Sequence, residues 1–166
     1  MVLTPSETPP LRLLQLEAYW RSLAAGSVPD RRLLEPGRIV SLLPYVLIAA
    51  LESDPFRVRY RLTGTRVDEM TGLNITGRYL DEFAQGEYRD VVKGIQDAYV
   101  LAQQQGRPVM APYYWPNQGG MMREVWMGIF PLLVDGAIRQ CISIEDYGAL
   151  GHQHEQPLEW SLALRE

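Results

Sequence analysis

The chain has a single cysteine, Cys141, which excludes an internal disulfide and any scaffold stapled by several of them. It has no apolar run approaching the length needed to cross a bilayer. Basic charge is not in excess: 16 Lys and Arg stand against 20 Asp and Glu, for a formal net charge of −4. Nucleic acid and anionic membrane surfaces both favour a basic face, so neither is expected as a partner. Histidine is confined to His152 and His154. They stand beside Glu155, but "HQH" without a further placed ligand reads as a solvated tail rather than a metal site. The start, "MVLTPSETPP", has neither a basic beginning nor an apolar centre. It does not read as a secretory signal, and the cytoplasm is the expected setting.

What is present is the composition of one globular domain: 166 residues, 46% hydrophobic and 22% charged. Thr8 before Pro9 and Pro10 starts a helix, "LRLLQLEAYWRSLAAG", with Leu13, Leu16, Trp20 and Leu23 at helical spacing. Leu11, Leu14 and Tyr19 add apolar surface beyond that stripe, more than one contact is expected to hide. Residues 45–51 read as a buried strand, and "FRVRYRLTG" alternates. The alternation predicts Phe56, Val58, Tyr60 and Leu62 on one face and Arg57, Arg59 and Arg61 on the other. "GTRVDEMTGLNITGRYL" is too glycine-broken for a long helix and too regularly apolar for a linker, so short helical turns with glycine corners are expected. A longer amphipathic helix follows, with Tyr88, Val91, Val92, Ile95, Ala98, Tyr99 and Ala102 on one stripe. Strands over 109–115, 122–134 and 137–147 close the chain as an antiparallel meander, and the remainder reads as a mobile or loosely docked tail.

This order of elements resembles that of a PAS domain, and more narrowly that of a bacterial family of PAS-like proteins once catalogued only as a domain of unknown function. "YWRSL", "PDRRLLEP", "YRLTGT" and "TGLNITGRYLDEF" carry the resemblance, which spans residues 11–147. It implies an α+β fold: a five-stranded antiparallel sheet with a helical cover and an N-terminal flanking helix. The division expected is a helical extension over 1–34, the PAS-like domain over 35–147 and a tail over 148–166. The resemblance also implies a cavity roofed by the central helices, and a sensor or adaptor that binds a small molecule and signals through a protein partner. Covalent flavin and haem are not expected. No cysteine lies between Gly64 and Gln105, and the long helix has no histidine to serve as an axial ligand.

The expected ligand-binding residues are Tyr60, Arg66, Met70, Ile75, Trp126 or Met127, and Gln140 or Cys141; the paired names stand for the two possible strand phases, which swap faces. Tyr60 and Gln140 are placed at a polar end, and Arg66 is a candidate to hold an acidic ligand. Thr65, Thr71 and Thr76 suit helix caps. No catalytic constellation is present: Asp68 and Glu69, adjacent on a helix, diverge. A homodimer through the first helix is expected, and the three arginines form either a solvated face or a docking surface. The alternatives are a small α+β enzyme or carrier, marked by an ionisable Asp or His in the pocket, and a ligand-free interaction module with a filled core.

Overall fold

A computed structural model describes residues 8–116, 122–148 and 163–164. After helix α1 (Leu11–Leu23), three short 3-10 turns lead into β1 (Val46–Glu52) and β2 (Arg57–Thr63). Helix α2 (Thr65–Thr71) and two more 3-10 turns then precede α3 (Arg89–Gln105). The chain continues through β3 (Val109–Pro116), β4 (Met122–Val134), β5 (Ala137–Asp146) and the two-residue β6 (Ala163–Leu164). The sheet order is β2-β1-β5-β4-β3-β6, and every neighbouring pair is antiparallel. The five long strands are those expected from the sequence. The sixth comes from the stretch read as a tail and pairs with β3. His152, His154 and Glu155 lie outside the described residues.

Local chemistry explains the corners. Asp135 (φ 51°) and Gly136 (φ 79°) both occupy the left-handed region, as a two-residue hairpin requires, and join β4 to β5. Gly64 is needed for space: a Cβ there would stand 2.3 Å from the Pro44 carbonyl oxygen. A bulge corrects one sequence expectation. Ile48 pairs with Leu62 but Ala49 pairs with Tyr60, so Arg61 is the extra residue of β2 and alternation reverses after it. Leu62 therefore leaves the inner face and is 50% exposed.

Both sheet faces are covered. The inner face packs against α3, whose buried Val91, Val92, Ile95, Ala98, Tyr99 and Ala102 are the predicted stripe. The outer face packs against α1: Leu13, Leu16 and Trp20 meet Phe130, Leu132, Ile142 and Ile144. The Trp20 indole donates to the Pro131 carbonyl at 2.8 Å. Contrary to the surplus apolar surface read for α1, Tyr19 is buried and Leu14 half-buried in this single contact, which leaves Leu11 exposed. Most of the apolar surface of α1 on which the expected homodimer rests is thus buried against the sheet. The arginines of β2 do not form one free patch either. Arg57 makes two 2.7 Å hydrogen bonds to Asp81 and lies over the Tyr79 ring, Arg59 is half-buried, and Arg61 is exposed. No helix among the described residues is long and apolar enough to cross a membrane.

Candidate functional site

The glycine-broken stretch forms a roof. Thr65–Thr71 makes two turns of helix, Gly72 ends them in the left-handed conformation, and Gly77 turns the chain back along β2. There the Gly77 amide donates to the Tyr60 carbonyl at 2.7 Å and the Tyr60 amide donates to the Arg78 carbonyl at 3.0 Å, which pins the roof to the sheet edge. The threonines serve the backbone and each other, but none caps the helix start. Gly64 is the N-cap, without a side-chain hydrogen bond, and the Thr71 hydroxyl donates back to the Val67 carbonyl at 2.9 Å. Thr76 meets Thr63, whose hydroxyl also reaches Asp68.

Under this roof lies a cavity of about 460 Å³. Met70, Ile75, Leu80, Ile95 and Val125 supply aliphatic and thioether walls, and an arc of aromatic rings faces them: Tyr60, Phe83, Tyr88, Tyr113, Trp115 and Tyr147. The rings brace one another, Tyr88 against Trp115 at 4.9 Å between centroids and Tyr113 edge-on to Trp115 at 6.4 Å.

The polar end is a half-buried acid. Glu145 of β5 faces inward, accepting from the Tyr113 hydroxyl at 3.0 Å on one oxygen and from the Tyr147 hydroxyl on the other. Burial pushes its carboxyl above the ordinary carboxylate range, and the two tyrosine hydroxyls only partly oppose that. Burial likewise raises the phenols of Tyr60, Tyr113 and Tyr147, which stay protonated as donors. Deeper in, the Tyr99 hydroxyl bonds Ser143 at 3.0 Å, beneath the cavity. Arg123 stands at the other end, its guanidinium 3.2 Å from the Met70 sulfur, a weak acceptor, and it forms no ion pair among the described residues.

Tyr60, Met70 and Ile75 all line the cavity, and the remaining expected site residues lie elsewhere. Arg66 is on the surface, paired with Glu69 at 2.9 Å, because α2 turns it away from the sheet. Trp126 points to the outer face and donates to Glu124 at 2.9 Å. Gln140 also lies on the outer face, opposite Leu132 and Ala50. Met127 and Cys141 have the inward phase, but both are buried in the core packed against α3, away from the cavity walls. The missed residue is Glu145. A signal was present, since Cys141, Ser143, Glu145 and Tyr147 share one phase of the last strand. The cavity lining contains neither histidine nor cysteine among the described residues. Among the described residues no group of three or more His, Cys, Asp or Glu is placed to hold a metal.

Residues 9–118 match the family model of a PAS domain. The chain belongs to the PAS-domain family. The fold of this PAS domain is also similar to that of VqmA from Vibrio cholerae, solved in a complex with ligand and DNA, with a TM-score of 0.50 and 15% identity. The alignment covers 68% of this chain and 50% of the VqmA chain, so the likeness extends over about half of that protein. No curated protein matches the chain at a significant level.

Proposed function

We propose that this PAS domain is a sensor: a small organic molecule occupies the cavity under α2, and its presence changes a contact with a protein partner. The observation that carries the reading is the cavity itself, about 460 Å³ of apolar and aromatic wall with one polar end. That size and lining are those of a drug-sized ligand site, and they distinguish this interior from a filled core. The presence of a ligand in the VqmA complex supports the reading by analogy of fold. With a net charge of −4, DNA is not proposed as the partner here. The element we assign to carry the change outward is α1, because its Arg12 holds Asp146, the residue next to Glu145.

A second reading, a small enzyme, draws on the half-buried acid in the pocket, which is the kind of group acid–base chemistry needs. PAS domains are typically sensory, and both Glu145 oxygens already accept tyrosine hydroxyls, an arrangement for holding rather than transferring a proton. Mass spectrometry of small molecules released from the purified, denatured protein tests the sensor reading. A true ligand at a hundred times its dissociation constant stabilises the fold by about 2.7 kcal/mol, a visible thermal shift. Val125→Phe fills the cavity from its wall and is expected to abolish that shift while the protein stays folded. A protein that releases nothing and shifts with nothing in a broad metabolite screen refutes it.

A further inference from the structure

We propose that the occupant of the cavity is an organic cation, an amine or protonated nitrogen base on an aromatic or aliphatic body, with its nitrogen held against Glu145. The inference rests on the reading of the cavity as a ligand site and adds the chemical class. Three observations carry it.

The first is the unfinished coordination of the acid. A carboxylate offers about four lone-pair sites, and Tyr113 and Tyr147 occupy one on each oxygen. Among the described residues no Lys or Arg forms an ion pair with Glu145. An acceptor with sites to spare, half-buried in the cavity wall, favours an occupant that donates.

The second is the aromatic arc beside it. Tyr60, Tyr88, Tyr113, Trp115 and Tyr147 line the same cavity, and the faces of such rings attract a cation more strongly when it is desolvated. An acid and aromatic faces together favour positive charge. A carboxylate ligand at this end would meet Glu145 with like charge, and a purely apolar one would leave its acceptors unmet.

The third is the position of Arg123, the cationic side chain in the lining. Met127 pairs with Glu145 across β4 and β5, and Arg123 lies four residues along β4 from it, roughly 13 Å at the rise of a strand. Its charge is therefore at the mouth, where the Glu69 carboxylate also lines the cavity, and does not cancel the acid at the inner end.

A matched series decides the matter: 2-phenylethylamine, 2-phenylethanol and 3-phenylpropionate, titrated calorimetrically into the full chain and its Glu145→Gln variant. The amine is expected to bind about tenfold or more tighter than the alcohol, with the propionate weakest. Glu145→Gln is expected to erase the amine's advantage and leave the alcohol nearly unchanged. Should that variant not fold, Trp115→Leu serves instead, weakening the amine more than the alcohol. Propionate or alcohol binding as tightly as the amine overturns the proposal, as does a series in which none binds. Either result leaves the sensor reading standing if a neutral or acidic molecule is released from the purified protein. If nothing is released and no metabolite shifts the melting temperature, both fall together.

Discussion

The Arg12 guanidinium donates to the Asp146 carboxylate at 2.8 Å, joining the first helix to the last residue of β5 across 134 positions of sequence. Asp146 faces α1 on the outside of the sheet, and its neighbour Glu145 faces the cavity on the inside. Successive residues of a strand point to opposite faces, so one peptide unit connects the two sites. Arg12 also lies over the Tyr45 ring at 3.9 Å, which fixes its direction. Arg12→Ala is expected to cost about 1–3 kcal/mol: Arg12 is partly screened by solvent, but the change leaves the buried Asp146 carboxylate without its cation. It should also raise hydrogen exchange in α1. Exchange in α1 unchanged from wild type would show that the pair does not hold the helix.

Glu145 makes stability depend on pH with a definite sign. Burial raises its folded-state carboxyl above the unfolded value, so its contribution is complete below the unfolded pKa of about 4.3 and is lost as pH rises through the folded value. Glu145→Gln cannot ionise and is expected to gain on the wild type from about pH 4 up to the folded value, with a constant advantage above it. Urea midpoints of both proteins across that range check it; parallel curves would mean the acid is solvated.

Gly64→Ala forces a methyl to within 2.3 Å of the Pro44 carbonyl oxygen, an atom of rigid backbone. The expected cost is about 1–3 kcal/mol or more, together with a loosened α2. Chemical denaturation measures the first, and protease cleavage within residues 65–80 reports the second.

Removing residues 1–26 uncovers Phe130, Leu132, Ile142 and Ile144, which α1 shields. The truncated chain is expected to unfold or aggregate rather than persist as a folded monomer. The single change Leu16→Ala, at a side chain with 0% exposure, should cost about 2–5 kcal/mol. Circular dichroism and light scattering read both, and a folded, monodisperse truncation would contradict the packing described.

The strands, the α3 stripe and the Asp135–Gly136 turn were legible because each depends on a local period or a local backbone demand. Strand phase was not. The apolar partners Phe130, Ile142 and Ile144 belong to the outer face, and Met127, Ile129 and Cys141 to the inner one, so apolar residues do not mark a single interior. That is why the phase stays open in the sequence between Trp126 and Met127 and between Gln140 and Cys141, and why Glu145, between Ile144 and Asp146, passes unnoticed. The bulge at Arg61 had no sequence mark at all, because only the pairing with β1 reveals the extra residue.

The roof of the cavity is fastened unevenly. Along β2 it is stitched by two backbone hydrogen bonds, between Gly77 and Tyr60 and between Tyr60 and Arg78, whereas across the mouth its link to β4 is the Arg123 contact with the Met70 sulfur. A thioether is a weak acceptor, so the two margins differ in strength much as a hinge differs from a catch. For the proposed occupant, the weaker margin at Met70 is the expected way in and out, and its residence time is expected to depend on that catch. Met70→Ala should shorten it far more than any change along the stitched edge.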